Sequence, residues 1–300
     1  MKKILVLTDV PAKVLPILNL NHPGAHDQEY QQRRAVIVEK ALQFHRLSEE
    51  KRQIPLLKYT LEEHQVWRGV CKKLKPLHQQ FACSWYKEAR KQLYISEEKI
   101  PPLRNLSKKL EQLIGFRLEP IHGLVEPKEF LIRLGRGIML CTQYIRYASQ
   151  PEFTPEPDIV HEVLGHVPMF LQPEFRAFSL LIGKAAALAH QEQLQKLIKL
   201  YWFTLEYGLI EEEGKNGEER KVKAFGAGLL GGVHDLSRAI EGKVTVLPFS
   251  REEIFKREIN YSFPQEELFV LPSFKFLIEE TEKTLGEMGL RAKVQENSCS

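Results

Sequence analysis

The sequence predicts one mainly α-helical domain with a small β component. Most of the chain carries apolar residues at helical spacing. Residues 116–147 instead break into short extended pieces punctuated by Pro120, Gly123, Pro127, Gly135 and Gly137, the kind of chain that lines sites. No internal repeat, low-complexity run or linker divides the sequence, so residues 21–290 read as one unit between a short N-terminal extension, 1–20, and a flexible tail, 291–300. With 300 residues, 43% of them hydrophobic, the chain is long enough to bury a substantial core.

The first helix is expected in "DQEYQQRRAVIVEKALQFHRL", 27–47, where a mixed pattern settles into an apolar stripe. "TLEEHQVWRGVCKKL" opens with Thr60 and Glu63 at the spacing of a capping box, followed by Trp67, Val70, Cys71 and Leu74 on one face. "NLSKKLEQLIG" stops at Gly115. Helical pattern resumes at Asp158 and continues through "PEFRAFSLLIGKAAALAH" and "QEQLQKLIKLYWFTLEYGLI". The turn residues of "GKNGEERKVKAFGAGLLGG" before a short strand suggest a hairpin. "DLSRAIEG", "REEIFKRE" and "FKFLIEETEKTLGEMG" supply the last helices.

The 43 basic and 39 acidic residues are interleaved along the chain, which describes a solvated surface rather than a nucleic-acid footprint. "KVLPILNL", behind "MKK", is too short in its apolar part for a signal peptide or a membrane span, so the expected setting is cytoplasmic. The four cysteines, Cys71, Cys83, Cys141 and Cys299, include no CxxC pair and read as reduced thiols.

"PDIVHEVLGHVP", 157–168, holds the chemistry-bearing constellation. In the zinc-peptidase motif HExxH the histidines are four apart, about 40° around a helix; His161 and His166 are five apart, about 140°, too far for a straight α-helix to aim both at one ion. Pro157 and Asp158 suit a helix start, which puts His161 in the first turn. If that helix ends at Gly165, with Pro168 blocking continuation, His166 can swing back toward His161. Glu206 in "YWFTLEYG" is the candidate third ligand. A carboxylate among Tyr201, Trp202, Phe203 and Leu205 is costly unless paired with a cation or metal. Two imidazoles and one carboxylate around an ion with open positions suit non-haem Fe(II) and oxygen chemistry. Two unrelated histidines and a partly exposed helix glutamate remain the plainer alternative.

"CTQYIR" (141–146), "TPEPDIVHEVLGHVP" (154–168), "YWFTLEYGL" (201–209) and "FGAGLL" (225–230), in this order, resemble the catalytic domain of the pterin-dependent aromatic amino acid hydroxylases. The resemblance extends to "HPGAHDQEYQQRR", "YTLEEHQVWRGV" and "IGFRLEPIHGLVEPKEF" and covers roughly residues 20–285. It implies a mainly α catalytic domain in which Fe(II) and a tetrahydropterin, tetrahydrobiopterin or a relative, share O₂ to hydroxylate the ring of a free aromatic amino acid. The family's iron ligands fall on His161, His166 and Glu206. Arg146 would bind the substrate carboxylate with Asp158 holding its guanidinium, and Thr154, Pro155 and Trp202 would line the amino-acid pocket. Gly123, Val125 and Phe130 match the pterin loop, with Phe130 stacking on the ring, and Glu162 and Tyr201 match positions near pterin and iron.

Within this family Gly231 and Gly232 stand where two serines are common, one of which supports the first iron histidine. Pro127 replaces a pterin-loop serine, and Leu140 sits where a histidine or glutamine is usual in the animal enzymes. Trp202 follows the phenylalanine and tyrosine hydroxylases rather than the tryptophan enzymes. Phe263 falls near an aspartate position of the tyrosine hydroxylases. Phenylalanine is therefore the expected main substrate, with side activity on Trp or Tyr. Only about twenty residues precede "HPGAHD" and no heptad-bearing helix follows Gly289, so a stand-alone domain, monomeric or weakly dimeric, is expected, without nucleic-acid or membrane partners. Two rivals are a zinc hydrolase with Glu162 as general base, and a homologue that keeps the fold and binds pterin or amino acid without turnover.

Overall fold

Helix follows apolar periodicity through most of the chain, and each boundary has a local cause. The computed structural model describes residues 22–152, 154–214, 219–260 and 264–296. Helix α1, Gln28–Arg46, is capped by the Asp27 carboxylate, which accepts the Tyr30 amide hydrogen bond at 3.0 Å. Helix α2, Leu61–Phe81, begins with the expected capping box: Thr60 Oγ1 accepts from Glu63 N at 3.1 Å and Glu63 Oε2 accepts from Thr60 N at 2.7 Å. Its Trp67, Val70, Cys71 and Leu74 stripe is buried at the centre of the core, each large side chain contributing roughly 1.5–3 kcal/mol. Helix α3, Ser84–Leu93, follows, and α4, Leu103–Ile114, ends at Gly115, whose φ of 72° is the left-handed conformation that favours glycine.

Strands β1, Arg117–Ile121, and β2, Ile138–Thr142, pair in parallel, with Ile121 opposite Thr142. The sequence pattern suggests only loop and strand here. The structure inserts helix α5, Pro127–Gly135, between them. Pro127 occupies its first position, where the missing N–H costs nothing, so a residue that looks like a breaker is an initiator.

Beyond the site segment, α6 spans Pro173–Leu188 and α7 spans Gln191–Tyr201. Strands β3, Leu209–Glu212, and β4, Lys221–Ala224, form the expected hairpin. Short α8, Ala227–Leu230, and α9, Val233–Ile240, precede β5, Thr245–Pro248. Helix α10, Arg251–Lys256, then β6, Glu267–Leu271, complete a second, four-stranded sheet of order β4-β3-β6-β5. Helix α11, Phe274–Glu287, lies against α6 through Phe274 and Phe175, whose rings are 6.3 Å apart. The segment expected as a flexible tail opens with helix α12, Arg291–Glu296, held down by buried Leu290 and Val294.

The described cysteines, Cys71, Cys83 and Cys141, are free and buried. No described helix is long and apolar enough to cross a membrane.

Candidate metal centre

The five-residue spacing of the histidines has a different cause from the one the sequence suggests. The helix does not end at Gly165. From His161 to His166 it widens into a π-helical turn, and the Val167 amide reaches back five residues to Glu162 O. In an i to i+5 ladder, residues five apart return to nearly the same side. The Nε2 atoms of His161 and His166 consequently lie 3.1 Å apart. Gly165 matters for packing instead. A Cβ there would sit 2.6 Å from Ala227 O, so its absence lets α8 close against this turn.

Glu206 arrives on a second π-helical turn, Trp202–Glu206, which extends α7. Again an amide, that of Tyr207, bonds five residues back, to Trp202 O at 3.0 Å. The Glu206 carboxylate lies 3.0 Å from His166 Nε2 and 3.5 Å from His161 Nε2. Burial alone would raise its pKa, but the two histidines and the hydrogen bonds from His166 and Tyr201 outweigh this and hold it near 2. Burial lowers His161 to about 4, leaving a neutral imidazole at neutral pH. His166 is also pushed down by burial, yet the Glu206 charge outweighs this and its pKa is raised.

Glu162 also brings an oxygen close to the two histidines, within a group of donor atoms no more than 4.8 Å apart. Its state is opposite to that of Glu206. Burial raises it to about 8, while Thr142 donates to its Oε1 from N at 3.2 Å and from Oγ1 at 3.3 Å. A carboxyl held neutral is a poor ligand and a poor general base at neutral pH, so Glu206 is the carboxylate suited to a cation here.

Tyr201 donates to Glu206 Oε1 at 2.7 Å, and its ring meets Phe130 edge-on at 5.4 Å. Val125 and Phe130 pack against Ile121, Ile138 and Leu140, giving one apolar wall beside Tyr201. Gly123, with φ of 154°, turns the chain at the head of that wall.

Arg146 and Asp158 form the other border, both buried. Nε and NH2 of Arg146 donate to Asp158 Oδ2 and Oδ1 at 2.9 and 2.7 Å. NH2 also reaches Gly231 O at 3.2 Å, and NH1 reaches Pro151 O at 3.3 Å. One fork edge of Arg146 is thus committed to Asp158. Asp158 Oδ1 additionally accepts the His161 amide at 3.1 Å, the helix-start role expected of it. Thr154 Oγ1 donates to Glu156 O at 2.7 Å, which folds the Thr154–Pro155 turn. Trp202 donates from Nε1 to Gln265 Oε1 at 3.0 Å and packs on Tyr207 with ring centroids 5.0 Å apart.

A family model described as biopterin-dependent aromatic amino acid hydroxylase matches residues 7–297. The chain belongs to that family. It is 42% identical over 225 residues to the chloroplastic phenylalanine 4-monooxygenase of Pinus taeda, covering 75% of this chain and 61% of that protein. It is 39% identical over 263 residues to human tyrosine 3-monooxygenase, covering 86% of this chain and 48% of that one. The match therefore takes in less than two thirds of either curated relative. Among solved structures, phenylalanine hydroxylase from Chromobacterium violaceum with bound iron(III) and 7,8-dihydrobiopterin superposes with a TM-score of 0.69 at 25% identity. That alignment covers 77% of this chain and 84% of that one.

Against the hydroxylase pattern, the two glycines at 231 and 232 have a steric reason. A Cβ on Gly231 would lie 2.8 Å from His161 Cα, and one on Gly232 would lie 2.6 Å from Gly228 O. Leu140, wholly buried, belongs to the apolar wall with Val125 and Phe130. Phe263 lies outside the described residues.

Sequence reasoning missed Arg34 and Glu156. Arg34 is buried, its guanidinium is 3.7 Å from the Tyr144 ring centroid, and it pairs with Glu156 beside Pro155. Its position one turn before Ile37 and Val38, on the apolar face of α1, was the available signal.

Proposed function

We propose that the chain hydroxylates the ring of a free aromatic amino acid, L-phenylalanine to L-tyrosine as the main reaction, using Fe(II), a tetrahydropterin and O₂. The observation that carries this reading is the convergence of two imidazoles and one ionised carboxylate from two π-helical turns, with His166 Nε2 at 3.1 Å from His161 Nε2 and 3.0 Å from Glu206 Oε1. That donor set fits Fe(II), which His161, His166 and Glu206 would hold on one side. Bound there, the iron would supply open coordination positions for activating O₂, with the pterin as co-reductant.

The chain's own residues bind, orient and exclude water. Arg146, fixed by Asp158, has one NH1 hydrogen left uncommitted by its bonds to Asp158, Gly231 and Pro151, and that hydrogen and the positive charge would meet the substrate carboxylate. Thr154, Pro155 and Trp202 border the ring. Phe130 offers a face for the pterin, Gly123 and Val125 its loop, and Glu162, kept protonated by burial, can donate a hydrogen bond to a pterin acceptor. Tyr201 orients Glu206. Phenylalanine as main substrate rests on Trp202 and Phe263 and on the similarity to the pine and Chromobacterium proteins. The similarity to human tyrosine 3-monooxygenase makes tyrosine the competitor to assay.

The test supplies Fe(II), tetrahydrobiopterin, O₂ and each aromatic amino acid in turn, with products separated by chromatography. Tyrosine from phenylalanine is expected. No hydroxylated amino acid from metal-loaded protein would overturn the proposal, and peptide cleavage restored by zinc would favour a hydrolase. His161→Ala and Glu206→Ala should each abolish iron retention; unchanged iron content would refute the ligand set.

A further inference from the structure

Glu119 and Arg133 lie outside the metal centre, on β1 and α5, the two elements that flank the 122–126 loop. Glu119 is on β1, two residues before β1 ends, and its side chain is 4% exposed. Its Oε2 accepts no hydrogen bond, yet Arg133 NH1 of α5 stands 3.6 Å from it. Arg133 is shared with its own helix, donating from Nε to Glu129 Oε1 at 2.9 Å. We propose that the Glu119–Arg133 pair is a clamp that positions the pterin pocket, tying the strand that enters its loop to the helix that carries Phe130. The proposal rests on the reading that Gly123, Val125 and Phe130 face the pterin.

The opposite face of α5 is already fixed. Gly135, two residues and about 200° round the helix from Arg133, meets Gly183 of α6 back to back. A Cβ on Gly135 would lie 2.5 Å from Gly183 C, and one on Gly183 would lie 2.2 Å from Gly135 N. Helix α5 cannot move closer to α6. Movement away from β1 would leave the buried Glu119 carboxylate with only the Arg117 contact on its other oxygen, Oε1, and nothing facing Oε2, which is unfavourable. Phe130 is one turn before Arg133, with its ring 5.4 Å from that of Tyr201, so a shift of α5 is a shift of the pocket wall. The Arg117–Glu119 contact, 3.4 Å, stays within β1 and holds no second element, so it serves as a control.

The experiment is calorimetric binding of 7,8-dihydrobiopterin to the full chain, with thermal midpoints and phenylalanine KM measured in parallel. Glu119→Gln and Arg133→Gln are each expected to weaken dihydrobiopterin binding about tenfold, because small misplacements of a positioning element are costly. Phenylalanine KM should stay within about twofold, and Arg117→Gln should bind the pterin like wild type. The Glu119→Gln/Arg133→Gln double variant should be no weaker than either single one, the non-additivity expected of a coupled pair. Unchanged pterin binding in both single variants would overturn the clamp alone. Equal losses of pterin binding, phenylalanine binding and thermal midpoint would overturn it too, showing a purely structural pair. A wild-type chain that binds no dihydrobiopterin would overturn both the clamp and the pterin reading beneath it.

Discussion

Tyr201 donates its phenolic hydrogen bond to Glu206, five residues later, at 2.7 Å. On an α-helix the two side chains would point well apart; on the π-helical turn they meet. The phenol lowers the pKa of Glu206 and orients its carboxylate toward both histidines. Tyr201→Phe keeps the ring and its packing on Phe130 but removes that donor. Iron affinity is expected to fall by roughly 10- to 100-fold with the thermal midpoint nearly unchanged. Equilibrium competition with a chelator measures it, and wild-type affinity would show that the hydrogen bond is idle.

Restoring a serine at 231 should harm rather than help. The added Cβ meets His161 Cα at 2.8 Å and Ala227 O at 3.2 Å, both backbone atoms that cannot swing aside. Gly231→Ser is expected to destabilise the chain by about 1–3 kcal/mol and to loosen iron. Urea unfolding together with metal analysis checks this; a tighter centre at full stability would contradict it.

Acid should destabilise the fold through His78. Burial, reinforced by Arg90, holds this histidine near 3, with its ring nitrogen Nε2 donating to Leu230 O at 2.8 Å. Its folded pKa is below the unfolded value near 6.5, so the unfolded chain binds the extra proton. Stability is full above about pH 6.5 and declines as pH falls toward 3. From pH 7.5 to pH 5 the loss attributable to this one group is about 2 kcal/mol. His78→Gln, which cannot charge, should flatten the dependence of the urea midpoint on pH over that interval. Equal slopes would assign the acid sensitivity elsewhere.

Trp202 should set ring selectivity. Trp202→Phe deletes the Nε1 bond to Gln265 and frees space beside Tyr207. The ratio of kcat/KM for tryptophan over phenylalanine should rise about tenfold, within the range a change in apolar pocket volume can give. Competition assays with mixed amino acids read the ratio directly, and a constant ratio would remove Trp202 from the specificity wall.

Much of this was legible in the sequence because it is local. The capping box at Thr60, the stop at Gly115 and the buried Trp67 stripe follow from residues a turn apart. His161, His166 and Glu206 were legible as a donor set, since a glutamate in an apolar helix needs a partner. The pitch of the helix was not. A one-residue widening leaves the same apolar pattern as an α-helix, and Gly165 with Pro168 looks like a stop. Helix α5 was hidden by Pro127, whose meaning depends on whether the backbone before it is already turning. Arg34 and Glu156, 122 residues apart, are joined only by the docking of α1 on the site loop.

The two π-helical turns make this centre sensitive to length as well as to residue type. Removing Leu164 alone would leave His161 and His166 four apart, the interval an ordinary helix needs, while keeping every proposed ligand in the chain. Such a deletion should re-aim one imidazole relative to Glu206 and the pocket walls. A reading frame of single residues, rather than any side chain, would then separate an oxygen-activating geometry from the register of a zinc peptidase.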